Sequence, residues 1–359
     1  MKILFILSDI TLTGGIERVI SILSNSLVNH NLEIEILSLY KTNESIQFEI
    51  DKSVKITYLN KNIQLDGTPH SFRRLVKHLA SFGKLRKHLS TNKYDWIIAN
   101  SFPPAFQLFF SKKTSKWIVY EHVHHDYYNK YMRAIRSYIY KWFDKVVVLT
   151  HADKIRFSEY LSNVYQIYNP LGFLSKEVSN TAKKTIISVG RLEYQKGYDL
   201  LLESFSKLEQ LYPDWNLEIY GEGNERYNLE TQIKSLGINN AKLMGQSSSI
   251  EQRMVDSGFY VMSSRYEGFP MVLGEAMECG LPCVSFDCPN GPRDIISNKV
   301  NGFLVKNGDI DELFHAMSNM CENDASRKSM GEMAKKSTCD LKIDKITYKW
   351  LKIFEVNCE

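Results

Sequence analysis

Two carboxylates eight positions apart, Glu267 and Glu275, enclose Gly268-Phe269-Pro270-Met271-Val272-Leu273-Gly274. Pro270 suits the first position of a helix, where its missing N–H costs nothing, and Gly280 with Pro282 marks the far end. A helix over about residues 270–279 is therefore expected. Its open start offers amides and a partial positive charge, which together make an anion site. Helical side chains lean toward the N-terminus, so Glu275 reaches back to the mouth, with Glu267 just outside it. One carboxylate would hold a vicinal diol such as ribose and the other a hydroxyl of a transferred group, with a diphosphate between them. An ordinary capped helix carrying two solvated glutamates is the competing reading.

Arg191 follows the apolar run Ile186–Val189, and Lys196 precedes a helix whose apolar positions are Leu200, Leu201, Phe205, Leu208 and Leu211. Both cations point to one crevice, where charge-assisted bonds would stabilise a departing diphosphate as a divalent metal does elsewhere. Two solvated cations beside a loop is the alternative. Gly14 and Gly15 would bring a backbone close to the same phosphates. Gly221 and Gly223, after the run ending at Tyr220, read equally well as a plain turn.

Glu121-His122-Val123-His124-His125-Asp126 closes another apolar run. Neighbours at a strand end point in alternating directions and do not converge on one ion, so no metal is expected. His122 reads as a cleft residue beside a reacting sugar, with His124 in reserve and a structural role as the alternative. Asp309 with Glu312 reads as a helix cap rather than a metal-holding Asp-x-Asp.

The elements that position these groups alternate short apolar runs with amphipathic stretches. The runs are 2–7, 32–40, 54–59, 94–99, 117–120, 145–149 and 164–168, then 185–189, 216–220, 241–244, 258–262, 282–286 and 302–305. This is the α/β pattern of parallel sheets covered by helices, here two doubly wound Rossmann-like domains facing each other across a cleft. Asn169 to Gly172 and the polar stretch Ser175–Lys184 read as a linker. The expected domains are 1–170, which would bind the acceptor, and 171–342, with a helix at 343–359 crossing back onto the first.

At 359 residues and 43% hydrophobic content the chain supports two full cores. No apolar run reaches the ~18 residues of a membrane span, and the apolar start reads as a first strand rather than an export signal. The six cysteines (Cys279, Cys283, Cys288, Cys321, Cys339 and Cys358) lack metal-ligand spacing and read as reduced thiols of a cytoplasmic protein. Residues 1–170 carry 23 Lys+Arg against 14 Asp+Glu, and the remainder 22 against 27. The basic first half would face an anionic surface. Its helix Ser71–Leu89 sets Phe72, Leu75, Val76, Leu79, Phe82, Leu85 and Leu89 among Arg73, Arg74, Lys77, Lys84, Arg86 and Lys87. That pattern suits a membrane surface or the cover of a sheet, and Lys130, Arg133, Arg136 and Lys141 favour the membrane.

The chain resembles glycosyltransferase family 4, retaining nucleotide-sugar transferases of GT-B fold. The matching stretches are Gly14-Gly15-Ile16-Glu17-Arg18-Val19, Ser188-Val189-Gly190-Arg191-Leu192 with Lys196-Gly197, Tyr220-Gly221-Glu222-Gly223, and Ser264-Arg265-Tyr266-Glu267-Gly268-Phe269-Pro270 through Glu275. The resemblance implies that Arg191, Lys196 and the amides of Gly268, Phe269 and Met271 hold the donor diphosphate. It gives Glu275 the ribose, Glu267 the donor-sugar hydroxyls, Met244-Gly245 the nucleobase, and His122 a place near sugar and acceptor. Phe286 to Arg293 is similar to transferases building bacterial surface polysaccharide, such as capsule or lipopolysaccharide, on lipid-pyrophosphate carriers. The implied donor is a UDP-linked hexose or N-acetylhexosamine and the acceptor a glycan or lipid-linked oligosaccharide. No separate cofactor and no nucleic acid are expected, and the implied location is the inner face of the cytoplasmic membrane. A GT-B epimerase and a catalytically silent sugar-nucleotide binder are the competing functions.

Overall fold

The computed structural model of the chain describes residues 1–61 and 72–356, and for residues 72–80 the backbone only. Ser71, Cys358 and the side chains of Phe72, Arg73, Arg74, Leu75, Val76, Lys77 and Leu79 in the basic helix lie outside the described residues. The chain divides into two units, one of residues 1–172 with the segment from Ile343 onward, the other of residues 173–342.

The first unit is built on β1 (Lys2–Leu7), β2 (Glu33–Tyr40), β3 (Lys55–Asn60), β4 (Trp96–Asn100), β5 (Lys116–Tyr120), β6 (Lys145–Val148) and β7 (Val164–Gln166). They pair in the order β3-β2-β1-β4-β5-β6-β7, all parallel. Leu4 stands opposite Glu35 on one side and Ile97 on the other, so the apolar start of the chain is a central strand. Helices cover both faces of such a sheet, which is why its strands read as unbroken apolar runs. The order reverses between β1 and β4, and the crevice at such a reversal, outside the carboxyl ends, is where ligands bind in open α/β sheets. The helix Ile343–Ile353 packs in this unit: Trp350 is buried, its ring 4.9 Å from that of Tyr120. Glu355 then pairs with Lys116 at 2.6 Å and Lys145 at 3.1 Å.

The second unit holds β8 (Thr185–Val189), β9 (Asn216–Tyr220), β10 (Ala241–Gly245), β11 (Phe259–Met262), β12 (Cys283–Asp287) and β13 (Gly302–Lys306). The order is β10-β9-β8-β11-β12-β13, again parallel, and it reverses between β8 and β11. The helix Tyr198–Leu211 buries Leu201, Leu202, Phe205 and Leu208. Leu211, expected among its apolar positions, is exposed, and Leu202 takes the core place.

The stretch Ser175–Lys184 is not a free linker. Ser179 Oγ donates to the Ser257 carbonyl at 2.6 Å, and the Thr181 carbonyl accepts from Arg327 Nε at 2.8 Å. Ser179 satisfies buried backbone of the second unit and Arg327 satisfies backbone of the stretch in return, roles that composition does not distinguish from solvation.

Candidate functional site

In the second unit the strand ends at the β8/β11 reversal carry the groups singled out above. After β8 the chain passes Gly190 and Arg191 and makes a tight turn, Tyr194–Lys196, closed by Gly197 at φ 62°. A Cβ at Gly197 would overlap the Ser263 carbonyl, so the left-handed glycine also permits the β8 and β11 loops to touch. Gly190 lies under the Lys196 stem, where an added Cβ would stand 3.0 Å from Lys196 Cε. Gly221, at φ 141°, crosses the Gly190 carbonyl so closely that any side chain would overlap it. Its role here is backbone packing beneath the Arg191 loop.

Lys196 Nζ donates to Glu267 Oε1 at 2.8 Å, and Gln195 Nε2 reaches Glu267 Oε2 at 3.4 Å and the Tyr266 carbonyl at 2.9 Å. Glu267 is buried and the Lys196 side chain mostly so, which makes this a partly desolvated ion pair. Arg191 is exposed, and among the described residues its guanidinium has no ion pair. The loop after β8 thus carries one open cation, Arg191, and one compensated cation, Lys196.

Arg265 fixes this arrangement. Its Nη1 donates to the Tyr194 carbonyl at 2.7 Å, its two terminal nitrogens grip Asp199 at 2.8 and 2.5 Å, and its guanidinium lies 3.9 Å from the Tyr194 ring centroid. Planar bidentate pairing and ring stacking are what arginine does and lysine does not. The Arg265 amide donates to the Gln195 carbonyl and Ser263 Oγ to the Lys196 carbonyl. Sequence reasoning quoted Arg265 only as part of a motif; the acidic partner at Asp199, just past the Lys196 turn, was the available signal.

The Glu267–Glu275 segment departs from expectation at its proline. The helix is Met271–Glu278, and Pro270 is its N-cap at φ −82°, ψ 78° rather than its first residue. Those angles are an inverse γ-turn, and the Met271 amide donates to the Phe269 carbonyl at 3.0 Å. The Met271 donor is therefore engaged, unlike the open amide the spacing implies. Gly291, at φ 96°, packs on Pro270 and holds the turn from the other side. Glu275 is buried within the helix and Phe269 is nearly so. Gly268 sits between Glu267 and Phe269 on the same turn. Met244 lies exposed at the end of edge strand β10, where the register slips between Leu243 and Gly245. Asp309 accepts from the Glu312 amide as a helix cap, while the Glu312 carboxylate accepts from the Lys306 amide.

In the first unit, Gly14 is the N-cap of the helix Gly15–Val28, and a Cβ on it would overlap the Glu17 carboxylate. Gly15 faces open space. Glu17, buried in the first turn, thus places negative charge at the helix start, where it is favourable.

After β4 and β5 the chain brings Asn100, Ser101, Glu121 and His122 together. Ser101 is held at φ 71°, its amide donating to the Tyr120 carbonyl. His122 is buried against Tyr120, with ring centroids 4.1 Å apart, and burial pushes its pKa down to about 3. Asn100 Nδ2 donates to the Ile6 carbonyl, which leaves Oδ1 to accept from His122 Nε2 at 3.1 Å. The imidazole is neutral near pH 7, with Nε2 protonated and Nδ1 as its acceptor.

Glu121 lies wholly inside. Tyr140 Oη donates to it at 2.6 Å, the His122 amide at 3.1 Å, and Arg136 Nη1 stands 3.6 Å away. Burial raises its pKa against the pull of Arg136. Arg136, read as a surface cation, is fully buried, with Phe157 4.7 Å from its guanidinium and the His125 carbonyl 2.6 Å from Nη2. The following histidines go to separate partners: His125 Nδ1 meets Asp126 at 3.0 Å and the His124 ring is edge-on to Tyr127. Among the described residues no helix is long and apolar enough to cross a membrane.

Two family models divide the chain, Glycosyltransferase Family 4 over residues 13–171 and Glycosyl transferases group 1 over residues 173–337. The amylovoran biosynthesis glycosyltransferase AmsD of Erwinia amylovora is 31% identical, across 97% of this chain and 98% of its own. A Campylobacter jejuni protein named GalNAc-alpha-(1->4)-GalNAc-alpha-(1->3)-diNAcBac-PP-undecaprenol alpha-1,4-N-acetyl-D-galactosaminyltransferase is 27% identical, across 98% of each chain. In structure, a mutant of S. aureus TarM solved with fondaparinux, alpha-GlcNAc-glycerol and UDP superposes with a TM-score of 0.80 at 16% identity, over 98% of this chain and 99% of that one. That identity speaks for the fold alone, and the fold is GT-B. With two adjoining family models and a relative at 31% identity along nearly the whole of both chains, this protein belongs to glycosyltransferase family 4.

Proposed function

We propose that the chain is a retaining transferase that moves a hexose or N-acetylhexosamine from a UDP-sugar to a glycan or lipid-pyrophosphate-linked acceptor in surface polysaccharide synthesis. The observation that carries this reading is the Lys196–Glu267 pair formed where the loops after β8 and β11 meet, with the exposed Arg191 on the first of those loops. The UDP in the TarM complex and the undecaprenol-linked name of the Campylobacter relative support the donor and acceptor classes. The basic composition of the first 170 residues supports work at the inner face of the cytoplasmic membrane.

In this scheme the C1–O bond to the diphosphate breaks as the acceptor oxygen bonds to C1 from the same face. The acceptor proton passes to the departing phosphate oxygen, which retains the anomeric configuration without a protein nucleophile. Arg191 and Lys196 stabilise the charge growing on that oxygen, with the amides of Gly268 and Phe269 beside them. Glu275 holds the ribose, Glu267 the sugar hydroxyls, and Met244 lies along the base. Gly15 leaves open space at its helix start, whereas the Glu17 carboxylate fills the place beside Gly14, and neutral His122 offers Nδ1 to a hydroxyl of donor or acceptor. The cations and amides supply the charge stabilisation that a divalent metal gives elsewhere.

The test is a thermal-shift screen of nucleotide sugars followed by transfer to extracted lipid-linked oligosaccharides, with Arg191→Ala as control. UDP-sugars should stabilise the wild type alone and transfer should collapse in the variant. A wild type no more active than Arg191→Ala would instead make the chain a silent binder. His122→Ala should cut turnover more than donor affinity; unchanged turnover would pass the role to His124.

A further inference from the structure

The first unit carries a surface that the transfer scheme leaves unused. On the helix Lys130–Tyr140 and just past its end, Tyr131, Ile135, Tyr138 and Trp142 fall on one face, the spacing that ordinarily meets a core. Here all four are exposed, by 81, 43, 58 and 54%. The opposite face, with Arg136, Ile139 and Tyr140, already supplies the packing. Phe109 extends the stripe: its ring centroid is 6.1 Å from Tyr138, 5.8 Å from Trp142 and 5.0 Å from Phe110, itself 45% exposed.

Cations border the stripe. Lys130 and Lys141 are exposed on the same segment, and Arg86, Lys87 and Lys112 line a cavity of about 450 Å³ together with Ser90 and Ser111. Arg86 Nε donates to the Phe110 carbonyl and Lys113 Nζ to that of Trp142, both at 3.0 Å, fastening the basic edge to the aromatic one. The acids nearby are matched: Asp144 pairs with Lys113 at 2.9 Å, and Asp126 with Arg133 and Arg156.

Rings with polar tips sit well at headgroup level in a bilayer, and cations beside them gain from anionic lipid. We propose that this face docks on a bilayer rich in anionic phospholipid, with Tyr131, Ile135, Tyr138 and Trp142 entering the headgroup region and the Arg86–Lys112 cavity receiving a headgroup phosphate. The proposal rests on the membrane reading above and specifies the face that makes contact. A second copy of the chain is the rival occupant, but a two-fold contact would bring Lys130 and Lys141 toward their own copies.

Trp96, Trp117, Trp215 and Trp350 are buried, so Trp142 alone among the five tryptophans reports this face. The full chain is mixed with phosphatidylcholine vesicles with or without roughly one quarter phosphatidylglycerol, some carrying brominated acyl chains. Trp142 fluorescence should shift to the blue and be quenched on the anionic vesicles at low salt. Tyr131→Ser with Tyr138→Ser should weaken co-sedimentation about tenfold or more while thermal unfolding and transfer to a soluble acceptor stay unchanged. Arg86→Ser with Lys112→Ser should remove most of the preference for phosphatidylglycerol. Vesicle binding without quenching, and undiminished in the tyrosine variant, would overturn the face and leave the membrane reading standing. No binding to either vesicle would overturn both. A concentration-dependent dimer that shields Trp142 from iodide without lipid would hand the face to a second copy.

Discussion

The two strand-end sites of this chain handle charge in opposite ways. In the second unit one cation is left open to solvent: Arg191 is exposed, while Lys196 is mostly covered and pairs with the buried Glu267. In the first unit the corresponding strand ends present a neutral imidazole, an amide and a hydroxyl, while the charges, Glu121 and Arg136, are sealed in the interior. A buried pair costs desolvation that its attraction barely repays, so it is retained for geometry; a surface cation costs little and stays available to a ligand. One site is arranged to meet an anion and the other to shape a polar, uncharged surface.

The sharpest way to break that contrast is to leave a buried charge alone. Arg136→Ala strands Glu121 and should lower unfolding free energy by about 3–5 kcal/mol in urea titrations, with Glu121→Gln recovering part of it. If Arg136→Ala is as stable as the wild type, the interior pair is not a scaffold. Next comes the exposed cation. Arg191→Ala should leave stability intact and reduce kcat/KM for the donor about 10²- to 10³-fold, the effect of removing one donor aimed at developing negative charge.

Arg265→Ala tests whether the open site is itself held in place. Freed from Asp199 and Tyr194, the Lys196 turn should bind donor about tenfold more weakly by calorimetry, and Arg265→Lys should fail to restore it because the paired nitrogens and the stack are both lost. Restoration by lysine would reduce the contribution to simple charge.

The smallest effect is in pH dependence. His122, at about 3 in the folded chain against 6.5 unfolded, is protonated preferentially when unfolded, so its contribution is lost as pH falls below about 6.5. Asp153, raised by burial from 3.8 to about 6, acts the other way: its contribution is present below 3.8 and lost as pH rises through 6. Between these limits the two oppose each other. Unfolding free energy measured from pH 4 to 6.5 should fall with rising pH in His122→Gln and rise more steeply than wild type in Asp153→Asn.

Strands were legible because a sheet covered on both faces leaves unbroken apolar runs bounded by turns; the runs at 2–7 and 185–189 coincide with β1 and β8. That the loops after β8 and β11, which carry Lys196 and Glu267, lie at one edge was also legible, since parallel topology sends the ends of neighbouring strands the same way. The pairing of Lys196 with Glu267 was not, because 71 positions separate them and either side chain alone reads as solvated. Arg136 misled because its helix has two apolar faces: Ile139 and Tyr140 mark the inner one, while Ile135 and Tyr138 mark an outer one of equal appearance. Pro270 misled because proline's fixed φ suits both a helix's first residue and the centre of an inverse γ-turn, and ψ alone separates them.

If Lys196 takes the donor phosphate and Glu267 the sugar hydroxyls, as proposed, the bond between them imposes an order of events. A phosphate arriving at Lys196 competes with a carboxylate already seated there, so what it gains is the difference between two partners. Once displaced, Glu267 is an acceptor in want of a donor, and a neutral hydroxyl answers that need without repelling the newcomer. Anion first, hydroxyl second: the resting pair is a latch whose release readies the next contact.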